Sequence, residues 1–146
     1  MMRVKGNGSM GRFSVEFEIA NNSDVELAER GLLETEKVRR KRIQGVVDPG
    51  AASLVLPQSI VKELGLPIRG KAKVGYADRR TAIRPKAGAA HVELLGREDV
   101  FTAVVEPKGN TGLSGAVVLE VMDLLVDPAN ERLIPRDPRI ETFEME

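Results

Sequence analysis

Residues 46–57 read VVDPGAASLVLP, and the reading of this stretch decides the fold. Two valines lead into Asp48. Pro49 and Gly50 follow, and a second apolar run, SLVLP, begins at Ser53. Taken locally, Asp48-Pro49-Gly50 is a turn. Proline suits the second position of a tight turn, and glycine tolerates the positive φ that a type II turn needs next. The chain has two further Asp-Pro pairs, Asp127-Pro128 and Asp137-Pro138, so the dipeptide alone carries no chemistry. The other reading makes Asp48 a carboxylate placed between two strands for a reaction. The surroundings must choose between them.

Upstream, RFSVEFEIA alternates. Phe13, Val15, Phe17 and Ile19 fall on one face and Ser14, Glu16 and Glu18 on the other, as in a half-buried strand. NNSD then marks a turn or a helix cap. Residues 24–42 are highly charged and interrupted by Gly31, which predicts a solvated excursion with at most a short helical turn. The run Arg39 to Arg42 reads as a charged strand edge. IQGVVD and SLVLP are short strands. QSIVKELGLP has helix punctuation, with Ser59 as cap candidate, Gly65 as stop and Pro67 beyond it. KAKVGYADRRTAI predicts a hairpin turning at Ala77 to Arg80. HVELLGREDVFTAVVEP predicts a second hairpin, turning at Gly96 to Asp99. Val117, Val118, Val121, Met122 and Leu125 have helical spacing, and NERLIP closes as a strand. Seven or eight short strands with two short helices, and turns about every 8–12 residues, predict a sandwich or small barrel.

Composition narrows the function. The chain of 146 residues has the length of one domain, and its 42% hydrophobic content suffices for a core. Aromatics are 3%, so aliphatic side chains must fill the interior. The 22 basic and 22 acidic residues balance, which gives no electrostatic argument for nucleic acid or an anionic membrane. With no cysteine and one histidine, His91, disulfides, thiol catalysis and His-rich metal sites are excluded. No segment reaches the roughly 18 apolar residues of a membrane span. The N-terminus lacks the apolar core of a signal peptide, so a cytoplasmic protein is expected. Gly6, Gly8 and Gly11 have the G-x-G-x-x-G spacing, but they precede a strand instead of following one, which argues against a dinucleotide site. His91 lacks a G-x-S-x-G partner motif and is expected on a strand's polar face.

The order of the pieces carries more than any one of them. An apolar-apolar-Asp-x-Gly-Ala motif leads to Leu-Val-Leu-Pro and then to a short helix ending Leu-Gly-Leu-Pro. Further on, Leu113-Ser114-Gly115 opens a helix that runs into LLVDPANERLIP. This ordering resembles the retropepsin-like aspartic proteases, in particular small bacterial members with one Asp motif per chain. MGRFSVEFEIAN is similar to that family's opening strand and YADRR to its flap segment. The resemblance covers about residues 10–136.

The resemblance implies an all-β fold: a small closed barrel with a flap hairpin and one or two short helices. It places the domain at 11–136, with loose tails at 1–10 and 137–146. It implies peptide hydrolysis by two carboxylates around one water, one acting as general base and the other holding the shared proton. Two carboxylates about 3 Å apart cannot both ionise. A chain with one such motif must then work as a homodimer, with Asp48 from each subunit at the two-fold axis. No metal or cofactor is required, and the partner is a peptide or unfolded protein. Gly50 and Ala51 are expected beside the substrate, and Gly75, Tyr76, Ala77 and Asp78 in the flap over it.

Two positions depart from the family pattern. Pro49 stands where the family has Thr or Ser, so the hydroxyl that braces the paired Asp loops is absent. Ser114 replaces an apolar residue before Gly115, where a buried hydroxyl needs a partner. These active-site supports leave two readings open, a weakened dimeric endopeptidase or a dimeric module that binds peptides without efficient cleavage. An unrelated small all-β binding domain is a third.

Overall fold

The computed structural model describes residues 13–109 and 112–145. The tail at 1–10 and the glycine motif through Gly11 lie outside the described residues. The chain is β-rich, with three α-helices among the described residues.

Strand β1 (Phe13–Asn21) keeps the alternation read from its sequence: Phe13, Phe17 and Ile19 are buried, and Ser14 and Glu16 are exposed. Its last residue caps helix α1 (Asn22–Glu29). The Asp24 amide donates to Asn21 Oδ1 at 3.1 Å, and Asn21 Nδ2 donates to the Leu64 carbonyl at 2.9 Å. The excursion expected over 24–42 is therefore built more firmly than its charge suggested. Asp24 is buried and accepts from Arg39 Nε at 2.8 Å and from the Arg39 amide at 3.0 Å. The Arg39 guanidinium holds the Asp24 carboxyl below the ordinary carboxylate range. A charge run looks solvated in sequence because its partner is fifteen residues away.

Strand β2 (Arg40–Val47) runs antiparallel to β1, with Phe13 opposite Val47. Its charged first half fits the strand edge read at Arg39 to Arg42. Arg40 pairs with Glu18 at 3.3 Å and Arg42 with Glu16 at 3.4 Å. Strand β3 (Leu54–Pro57) leads into helix α2 (Gln58–Leu64). Ser59 is not its cap. The cap position is Pro57, and Ser59 lies inside the first turn. Gly65 does end the helix in the left-handed conformation, at φ 63°.

Strands β4 (Ile68–Gly75) and β5 (Thr81–Leu94) form the first expected hairpin. β5 then continues unbroken into the second, pairing with β6 (Arg97–Glu106). The second turn is Leu95-Gly96, shorter than the Gly96 to Asp99 read from sequence. Both residues have positive φ, 54° and 78°, which suits the twist of a two-residue hairpin. Strand β7 (Gly112–Ser114) leads to helix α3 (Ala116–Val121). That helix stops earlier than its apolar spacing indicated. Asp123 turns the chain at φ 56°, and Leu125 sits in strand β8 (Leu124–Asp127), paired with β9 (Arg132–Pro135).

The main sheet has the order β1-β2-β7-β3-β6-β5-β4, and β1 also pairs with β5 through Ile19 opposite Val92. Its core is aliphatic, centred on fully buried Ile19, Val47, Leu54, Leu56, Val118 and Met122. The C-terminal segment is tied to this body. Buried Arg97 donates to the carbonyls of Met122 and Asp123, each at 2.8 Å, and to that of Asp137. Asp123 accepts from the Thr142 amide at 2.8 Å and from Arg136 Nε at 2.7 Å.

Gly45 leaves room for the Phe17 ring, which a Cβ there would strike. Gly45→Ala is expected to cost about 1–3 kcal/mol in urea unfolding, because a buried ring has nowhere to move. Gly75→Ala, where a Cβ meets nothing within 4 Å, is expected to stay within about 0.5 kcal/mol of the parent. The Thr142 amide and Arg136 hold the Asp123 carboxyl below its usual range. A depressed folded value means stability that is complete above the ordinary carboxylate pKa and lost as pH falls through the lowered one. Asp123→Asn is expected to destabilise at neutral pH and to flatten the decline below about pH 4 in urea titrations.

Candidate functional site

The Asp48 loop sits where three strand ends meet. β2 and β7 are parallel, with Val47 opposite Ser114, so Asp48 and Gly115 are the next residues on adjacent strands. β7 also pairs with β3, Leu113 opposite Val55. β7 therefore lies between the two arms of the loop that carries Asp48.

The loop is braced from below. The Ala116 amide donates to the Ala51 carbonyl at 2.7 Å, and the Val117 amide to the Ala52 carbonyl at 3.0 Å. This closeness demands glycine at 115: a Cβ there would lie 2.5 Å from the Ser53 oxygen and 2.8 Å from the Ala51 oxygen. Inside the loop, the Gly50 amide donates to Asp48 Oδ1 at 3.0 Å, and the Ala51 amide donates to the Asp48 carbonyl at 3.0 Å. The turn differs in type from the sequence reading. Gly50 is not among the residues with positive φ, so a type II turn is ruled out. The Asp48 side chain caps the turn itself, in the manner of an Asx-turn. Asp48 is half-buried, and Pro49 and Gly50 are exposed. The Ser114 backbone is fixed by its register with Val47, while its side chain lies outside what the structure describes.

Gly75, Tyr76, Ala77 and Asp78 lie at the tip of the β4–β5 hairpin. The Tyr76 amide donates to the Arg80 carbonyl at 2.9 Å, and Arg79 takes φ 70°. Asp78 pairs with Arg80 at 2.6 Å, and the Arg80 guanidinium lies 4.9 Å from the Tyr76 ring centre. That pairing holds the Asp78 carboxyl below its ordinary value. The Tyr76 hydroxyl donates to Glu106 Oε2 at 2.7 Å and accepts from Arg84 Nε at 3.1 Å. Arg84 and Glu106 were not marked by sequence. They are distant in the chain, and neither sits in a motif. Asp48, Gly50, Ala51 and Gly115 are thus gathered in one place, while the hairpin tip directs its hydrogen bonds to β5 and β6. His91 lies half-buried on β5, 2.7 Å from Glu98.

Among the described residues, no three acidic or histidine side chains cluster as a metal ion requires. No described helix is long and apolar enough to cross a membrane. No protein-family model matches the chain, and comparison with curated proteins finds no similar one.

The contact beneath the loop gives a direct expectation. Gly115→Ala meets backbone rather than a movable side chain, so it is expected to cost about 1–3 kcal/mol in urea unfolding. It should also shift the amide resonances of residues 48–53 in a heteronuclear NMR spectrum, with smaller changes in β8 and β9.

Proposed function

We propose that this protein is an aspartic endopeptidase that works as a homodimer, with Asp48 of each subunit forming a two-carboxylate centre. The observation that carries this reading is the buttressed loop. A half-buried aspartate follows the buried Val47, its turn is capped by its own carboxylate, and Gly115 packs against the loop's backbone. The retropepsin-like ordering of the sequence motifs agrees with it. The β-rich architecture, in which the first strand pairs with both β2 and β5, is compatible with it.

In this reading one carboxylate of the pair takes a proton from water while the other holds a proton toward the scissile carbonyl. The two cannot both be charged at hydrogen-bonding distance, so the pair works with one proton between them. The β4–β5 hairpin covers the extended peptide and shuts out water. The setting is cytoplasmic, and no metal takes part.

Pro49 favours a second reading, a dimeric module that binds peptides and cleaves them poorly. Proline supplies neither hydroxyl nor N–H, so nothing at this position braces one Asp loop against its twin. A loosely held pair of catalytic groups can cost about 100-fold in rate.

Hydrolysis of a denatured protein such as casein separates the two. Asp48→Asn is expected to abolish cleavage while the fold and the dimer persist by circular dichroism and sedimentation. A variant that cleaves as fast as its parent would refute the assignment. Activity is expected to be greatest below neutral pH, to resist chelators, and to yield to a statine-type inhibitor. Pro49→Thr is expected to raise the rate or tighten the dimer.

A further inference from the structure

The balanced total charge hides a strong local imbalance. Of the twenty residues 68–87, seven are Lys or Arg and only Asp78 is acidic. These residues form the β4–β5 hairpin. Arg80 and Arg84 have acidic partners, Asp78 and Glu106. Among the described residues, Arg69, Lys71, Lys73, Arg79 and Lys86 form no ion pair. Lys71 lies opposite Pro85 and Lys73 opposite Ile83, and all four are exposed, so the lysines share the hairpin's outer face with an apolar neighbour.

Two features make this face a place for an extended chain. Among the described residues β4 ends the sheet and pairs with β5 alone, so none of them covers its other edge. Beside the start of β4 lies a pocket of 410 Å³ whose walls include Val61, Leu66, Ile68, Pro85 and Val105, with Lys62 at its rim. Ile68 is 57% exposed. An acidic strand with apolar anchors fits such an edge.

The chain itself contains one. Residues 140–145, IETFEM, carry two glutamates and no cation, and Ile140, Phe143 and Met145 are all exposed, Met145 at 89%. In an extended segment Phe143 and Met145 fall on one face and Glu144 on the other. The segment is anchored at the opposite end of β6 from its own hairpin's pocket. The Thr142 amide is held by Asp123, whose Oδ2 lies 3.9 Å from Arg97 Nη1 at the start of β6. The pocket lies at Val105, eight residues along that strand or roughly 26 Å. Met145 is three residues past Thr142, a reach of at most about 11 Å.

We propose that segment 140–145 of one copy docks on the β4–β5 hairpin of a second copy. It lies along the open edge of β4, with Phe143 and Met145 turned to the pocket and Glu144 to Lys71 and Lys73. This contact does not depend on the peptidase reading.

The test uses the full chain. Isotopically light and heavy copies are mixed and treated with a zero-length carbodiimide, and Glu–Lys links are mapped by mass spectrometry. Links from Glu141 or Glu144 to Lys71 or Lys73 are expected between light and heavy copies, and the Asp48→Asn chain should give them equally. Phe143→Ser is expected to lower their yield about tenfold, as is a rise in salt sufficient to screen exposed charges. Links confined to single copies, or a yield indifferent to Phe143→Ser, would overturn the proposal. Protection of the hairpin lysines by a single-stranded RNA with no tail link would assign the face to nucleic acid instead, and would equally overturn it.

Discussion

The backbone of the Asp48 loop rests on the backbone at Gly115, and much of the molecule exists to allow that contact. β7 is three residues long, yet it is the neighbour of both β2 and β3. It brings Gly115 to the level of Asp48 and starts α3 so that its first amides find the Ala51 and Ala52 carbonyls. Val118 and Met122 then carry the helix into the core beside Val47 and Leu54, the residues that flank the loop. Any side chain at 115 would separate these layers. The position of the loop is thus set by a missing Cβ, and the Gly50 amide holds the carboxylate within it.

Charge in this chain works by pairing at a distance. Asp24 with Arg39 closes the α1 excursion, and Asp123 with Arg136 closes the C-terminal segment. Each aspartate is nearly enclosed and each arginine is open to solvent, so the pair spans the boundary of the core. Such pairs cost more to break singly than they contribute jointly, because removing the arginine strands a buried carboxylate.

The strands were the most legible part of the sequence. Alternation in 13–19 and 101–105 transmits directly to burial, since a strand has only two faces. The short helices were less so. α1 has a local cap in Asn21, which NNSD signalled, but it is held by tertiary partners, Leu64 and Arg39, that no local pattern contains. α3 has apolar spacing that continues into a strand, because the aliphatic run 117–126 serves both periods. At the site, Asp48, Gly50 and Gly115 were legible because a turn and a close approach restrict residue choice. Arg84, which donates to the Tyr76 hydroxyl, and Glu106, which accepts from it, were not, since ion pairs between strands leave no fixed spacing.

The sheet order also bears on the time at which the loop becomes rigid. β4 and β5, and β5 and β6, are joined by short turns and can zip from them, the last from the two-residue Leu95-Gly96 corner. β7 has no such hairpin partner; it must find β2 across more than sixty residues already in place, and closing so long a span carries a large entropic cost. From sequence separation alone, the strand that shapes the loop is expected to join late in folding. Until β7 is in place, the connection that carries Asp48 lacks the backbone support it receives at Gly115 and Ala116.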